Sequence, residues 1–253
     1  MYRHITKLLP IAVAATACSD TPAPEASDGD SLQRDYTIVE NRTDVDVVVD
    51  GTDDEPASDA DIDREVRFRC DADGRHDLTT RVTDEGVLII EGDADADCYV
   101  LFPAFRVTDV VIDGQGDLDI DRTWFGLHSV EMKGQGRFHA DHIVSSDLAF
   151  VSHGGATADI DHANVGYVYI DMAGNSELSI DDGAADQADI TLSGNAALYA
   201  RGFEIDEASV DASGNTTAEL NVLDLLSGSV DGNADVSLWG DAEIDGDLDI
   251  TLN

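Results

Sequence analysis

The segment VYIDMAGNSELSI, Val168 to Ile180, holds two short runs of alternating apolar and polar residues separated by Gly174-Asn175-Ser176. Taken alone, Gly beside Asn between alternating runs signals a β-hairpin. The flanking sequence argues otherwise. Gly114, Gly134, Gly154, Gly174, Gly194 and Gly214 recur every 20 residues, and their surroundings align without a gap: VVIDGQGDLDI, VEMKGQGRFHA, FVSHGGATADI, IDMAGNSELSI, ITLSGNAALYA and VDASGNTTAEL. A seventh copy, SVDGNADVSLWG, arrives two residues early with Gly232 in the same place. A hairpin sandwich has no reason to hold such a period, whereas in a coil the period is the perimeter.

The expected fold is therefore all-β, a right-handed single-stranded parallel β-helix with coils of about 20 residues. The residue after each Gly is Gln115, Gln135, Gly155, Asn175, Asn195 or Asn215. Gly and Asn tolerate positive φ at a tight corner, and stacked amides can bond along the column. Inward columns are read from the same period: Val110, Val130, Phe150, Ile170, Ile190, Val210, and Ile120, Ala140, Ile160, Ile180, Ala200, Leu220. Trp124, Phe125 and Trp239 are expected to fill or cap the core. At about 4.8 Å per coil, seven coils give a rod of roughly 35 Å. Upstream, YTIVENRTDVDVVVDG, REVRFRC, DLTTRV, GVLIIEG and DADCYVLF read as less regular strands.

The 253 residues carry a formal charge of −40, with 42 Asp against 12 Glu and only two lysines, Lys7 and Lys133. Such a surface repels nucleic acid and anionic headgroups, which excludes nucleic-acid partners, and favours hydration and divalent cations. Residues 1–17, with Arg3 and Lys7 before a short apolar stretch, read as a lipoprotein signal peptide ahead of Cys18. Lipidation of Cys18 would tie the chain to a membrane. Ser19 after it resembles the outer-membrane sorting pattern of Gram-negative lipoproteins, with display on the periplasmic or the outer side left open. Residues 18–33 read as a flexible tether and 34–253 as the folded domain. Cys70 and Cys98, an even pair in an oxidising compartment, are expected to form a disulfide.

Four carboxylates, Asp121, Asp141, Asp161 and Asp181, share one column, and Arg122, His142, His162 and Asp182 stand beside them. Like charges at coil spacing repel. Arg122, Arg201 and hydration can offset them, or the ladder with His142 and His162 can hold Ca²⁺ or another divalent ion. Lys133, Arg137, His139 and His142 form a small basic band expected to pair by column with Asp113, Asp117, Asp119 and Asp159. Tyr167, Tyr169 and Tyr199 have outward parity, from which rings can stack on sugars. No Ser/His/Asp triad motif, phosphate loop or metalloprotease signature appears, and no cofactor is called for.

IDGQGDLDI, LSGNAALYA, DASGNTTAEL and DGNADVSLWG, together with DEGVLIIEG and VLFPAFRVTDVVIDGQGDLDI upstream, resemble the bacterial auto-transporter adhesin family defined by the head GIN domain. The resemblance runs from Tyr36 to Asn253. It implies a parallel β-helix in secreted or lipid-anchored envelope proteins, and it brings no catalytic residues. The expected function is thus a non-catalytic envelope lipoprotein acting as an adhesive, binding or structural module, with a glycan or protein ligand. The alternatives are a carbohydrate-active β-helix protein and a Ca²⁺-dependent surface protein. The C-terminal coil, ending in DLDITLN, offers an edge for self-association.

Overall fold

The computed structural model describes residues 36–44, 46–49, 67–70, 78–92, 98–102, 107–245, 248 and 250–253. The expected signal segment and tether, with Cys18, lie outside these. The described residues form one sheet wound as a parallel β-solenoid, with no helix. In chain order the strands are β1 (Ile38–Asn41), β2 (Asp46–Val49), β3 (Arg67–Cys70), β4 (Thr79–Val82), β5 (Val87–Glu91), β6 (Cys98–Phe102), β7 (Asp109–Ile112), β8 (Leu118–Phe125) and β9 (Ser129–Met132). There follow β10 (Arg137–Ser152), β11 (Thr157–Met172), β12 (Glu177–Leu192), β13 (Ala197–Gly214), β14 (Thr217–Gly232), β15 (Asp235–Trp239), β16 (Glu243–Asp245) and β17 (Ile250–Leu252).

From β10 to β13 each long strand is almost one whole coil and pairs with the next at an offset of 20 residues, as in Phe150 with Ile170 and Ile170 with Ile190. Pairing lapses at Asp141 and Ser146, and again at Asp161 and Gly166. The strand bends at these points, so each coil has three sides closed by the Gly corner. The interior is three columns of side chains with almost no exposure, including Val110, Val130, Phe150, Ile170, Ile190 and Val210. Large residues face small ones across coils: Phe138 sits between Leu118 and Ala158, and Phe203 opposes Gly183. That alternation fills a narrow core to native density. Trp124 is in this core, its Nε1 donating to the Val107 carbonyl at 3.0 Å. Phe125, expected inside, is 73% exposed: it pairs with Val144 just before Gly126, where the chain leaves the ladder.

The corner column rests on close approach more than on backbone angle. The carbonyl of each corner Gly accepts the N–H of the residue after the next Gly, as from Asn175 to Gly154 at 2.9 Å and from Gln135 to Gly114 at 2.9 Å. That carbonyl occupies the space where a Cβ on the stacked Gly would lie. Positive φ occurs in this column only at Gly174, Gly194, Gly214 and Gly232, and no described non-glycine residue has it. The Asn residues therefore serve the corner as a hydrogen-bonded ladder: Asn195 donates to Asn175 at 2.7 Å, Asn215 to Asn195 at 3.1 Å and Asn233 to Asn215 at 3.1 Å.

The N-terminal strands stack out of chain order. β1 lies between β7 and β5, and β2 lies between β8 and β6, so the first coil in sequence is inserted beneath the third. Beyond β5 and β6 the ladder is closed by β4 and β3, both antiparallel. Reversed strands end the parallel stack at this side. Cys70 and Cys98 are directly opposed in the β3–β6 register. Opposed residues in an antiparallel pair have Cα atoms about 4.5–5.5 Å apart, inside the range a disulfide spans. Oxidised protein is therefore expected to show no reactive thiol at these positions. Reduction is expected to cost about 3–4 kcal/mol by the loop-entropy argument, read as a lower melting temperature. Two freely titrating thiols in the native oxidised protein would count against the pair.

Candidate functional site

The break in the period has a local cause, and it shapes the outer face. Leu220 stacks on Ala200, but the next pairs are Asn221 with Glu204 and Val222 with Ile205. Arg201, Gly202 and Phe203 are thus unopposed on the following coil, and one extra residue near Leu223 makes up part of the deficit. The coil of β14 cuts the corner two residues short. Beside the cut corner lies an open depression of about 350 Å³ lined by Ser179, Ile180, Asp181, Tyr199, Arg201 and Gly202.

Each lining group has a definite state. Arg201 takes the fifth step of the column that holds Asp141, Asp161 and Asp181, yet it makes no ion pair among the described residues. The other described Arg and Lys side chains do: Arg42 with Glu40, Arg81 with Glu91, Lys133 with Glu131 and Arg137 with Asp159. Instead the Arg201 guanidinium lies 4.9 Å from the centre of the Trp239 ring, a cation–π contact that fixes its plane. Asp181 accepts one hydrogen bond, from Ser179 Oγ at 2.9 Å, leaving acceptor capacity free. Tyr199 is exposed and has no hydrogen bond among the described residues.

The other two outward tyrosines are spoken for. Tyr167 donates to Asp189 at 2.7 Å and Tyr169 to Asp171 at 3.4 Å. Burial, then the neighbouring carboxylate, raises both phenol pKa values, and burial alone raises that of Tyr36. A raised folded-state value means the folded chain holds the proton longer. The contribution is intact below the ordinary phenol value near pH 10 and is lost as pH rises beyond it. Stability in denaturant melts is expected to fall from about pH 10 upward, and Tyr167→Phe is expected to flatten that fall; a wild-type-like slope would refute it.

The structure gathers the expected metal residues differently. His139, Asp141 and Asp161 present ligand atoms within 4.8 Å of one another, with His139 Nε2 at 3.4 Å from Asp141 Oδ1. The His142 and His162 rings pack at a 43° tilt with centres 5.4 Å apart. His162 Nε2 lies 2.7 Å from the Asn164 amide nitrogen, and its Nδ1 faces Asp182 at 3.4 Å. The side chains of Asp121 and Arg122 lie outside the described ones, and the ladder slips by one residue there, so His142 pairs with Thr123. The basic band also pairs along different lines. Lys133, just past the end of β9, reaches back to Glu131 at 3.2 Å, and Arg137 reaches diagonally to Asp159 at 2.6 Å while its backbone N–H donates to Asp117.

The sequence places Trp239 as filling or capping the core and Arg201 as a screening charge; the two-residue shortfall before Gly232 is the signal that locates both at one feature.

The described residues thus define an all-β parallel β-solenoid with a shallow depression on its outer face. The family model described as "Putative auto-transporter adhesin, head GIN domain" matches residues 60–242. The chain belongs to this family. The match begins after β1 and β2, although these strands lie inside the stack. A structure described as a putative adhesin from Parabacteroides merdae superposes with a TM-score of 0.73 at 11% identity, over 91% of this chain and 98% of that one. A putative adhesin from Parabacteroides distasonis gives 0.72 at 15% identity, over 91% and 94%. A protein described as a putative lipid binding protein from the same species gives 0.72 at 13% identity, over 90% and 98%. No curated protein matches the chain.

Proposed function

We propose that this protein is a non-enzymatic recognition module of the bacterial cell envelope, a rigid adhesin-type solenoid that binds carbohydrate at the depression beside Tyr199 and Arg201. The single observation that carries the reading is that cut corner. There an exposed aromatic ring, a planar guanidinium without a carboxylate partner and a carboxylate with free lone pairs converge on about 350 Å³. Aromatic faces take the apolar face of a sugar, and charged planar groups take its hydroxyls. The adhesin description of the family supports the same reading. Lipidation at Cys18 would hold the module at the outer membrane, with residues 18–33 as its tether. Cys18→Ser is then expected to release the protein from the membrane fraction. For recognition, a glycan array is the test: Tyr199→Ala and Arg201→Ala should lower binding of the wild-type hits without lowering the melting temperature.

The second reading is a surface protein stabilised by a divalent ion, favoured by the convergence of His139, Asp141 and Asp161. Millimolar Ca²⁺ or micromolar Mn²⁺ should raise the melting temperature, and Asp161→Asn should abolish the rise. An unchanged melting curve with either ion removes this reading.

A further inference from the structure

The carbohydrate reading leaves open which sugars fit, and charge decides between the two broad classes. We infer that the depression takes a neutral hexopyranose and rejects uronates, sialylated sugars and sulfated sugars; this rests on carbohydrate binding at Tyr199 and Arg201. An unpaired arginine would by itself invite an anion. The groups around it outweigh that attraction. Asp181 lines the same depression, whereas the neighbouring Asp182 carboxylate is engaged elsewhere, accepting the Gly183 N–H at 2.8 Å and facing His162 at 3.4 Å. Glu219 pairs in register with Tyr199 on the next coil. One guanidinium is thus set against two carboxylates, Asp181 in the lining and Glu219 on the next coil.

Salt does not rescue an anion here. Screening at physiological ionic strength acts beyond about 8 Å, so it removes much of the repulsion from the rest of the −40 chain but little from carboxylates at contact range. An acidic sugar would place its carboxylate beside Asp181, with Glu219 on the next coil, and gain one bidentate partner in return. A neutral pyranose meets no such conflict. Its hydroxyls donate to Asp181, its ring and exocyclic oxygens accept from the Arg201 guanidinium already oriented by Trp239, and its C–H face lies on Tyr199. The arrangement has two anionic acceptors and one oriented donor, which suits a ligand rich in O–H donors.

The test is a panel of neutral gluco-, galacto- and manno-oligosaccharides set against hexuronate, sialylated and sulfated oligosaccharides of matched length, read by calorimetry on the full folded chain. Neutral ligands are expected to bind, with Tyr199→Ala and Arg201→Gln each weakening them by roughly fivefold or more. Their affinity should change little, within about twofold, when salt is raised well above physiological strength. Asp181→Asn should lower neutral binding and newly admit hexuronates. Preferential binding of acidic sugars, abolished by Arg201→Gln and by salt, would overturn this inference and leave the depression as the site. Neutral binding untouched by both substitutions, or no sugar binding at all, would overturn the carbohydrate reading itself.

Discussion

Gly154→Ala is expected to destabilise the solenoid by about 2–3 kcal/mol, while Gly155→Ala, one residue along, is expected to leave it unchanged or stabilise it by about 0.4–1 kcal/mol. The two glycines share a corner and differ in what lies behind them. A Cβ on Gly154 would run into the Gly134 carbonyl oxygen, which is held in place by the Gly155 N–H at 3.2 Å. That oxygen is backbone, so it cannot swing aside. A Cβ on Gly155 meets only the Gln135 Cγ at 3.7 Å, an ordinary contact with a flexible side chain. Neither residue has positive φ, so steric approach alone separates them. At roughly 2–4 °C per kcal/mol for a domain of this size, thermal melts should differ by about 5–12 °C between the two variants. Equal melting temperatures would mean that the coils at this corner can separate, and the stacking account would fail.

Phe138→Ala is expected to cost about 3–5 kcal/mol. Phe138 is fully buried, and its neighbours in the column are Leu118 on one side and Ala158 on the other. Ala158 cannot reach into the vacated volume, and the backbones are pinned by ladder hydrogen bonds above and below, so the cavity persists. Phe138→Leu should recover most of the loss. Chemical denaturation checks both; a cost under about 1 kcal/mol for the alanine variant would show that the stack collapses along its axis. The coil of β10 is the place to look, because its long strand pairs with β8, β9 and β11 at once.

Several parts of the architecture were legible in the residues because they depend on period alone. The 20-residue spacing from Gly114 to Gly214 gives the coil perimeter, and two-residue alternation assigns Val110, Phe150 or Ile170 to the inside. An aligned stack converts that spacing into register directly, with no turn geometry to guess. The Asn175, Asn195 and Asn215 amides likewise follow from stacking like on like. Reading failed where the period is interrupted. Phe125 is outside because the chain leaves the ladder at Gly126, and His142 opposes Thr123 because β8 slips by a residue. Lys133 pairs with Glu131 instead of Asp113, since a long side chain reaches residues two positions back in the chain as readily as those on the next coil.

What the sequence determined by itself is the repeat, hence the parallel solenoid, its inward columns and its corner ladder, all of which are nearest-neighbour consequences of a fixed period. Only the tertiary structure decided where β1 and β2 insert, how β3 and β4 close that end, and that beside the shortfall before Gly232 Tyr199 and Arg201 share one depression while Trp239 packs against the Arg201 guanidinium. The reason is physical. Insertion of β1 beside β7 joins residues some 70 positions apart through hydrogen bonds any extended chain can make. A skipped pair of residues fixes a count but not which corner gives them up.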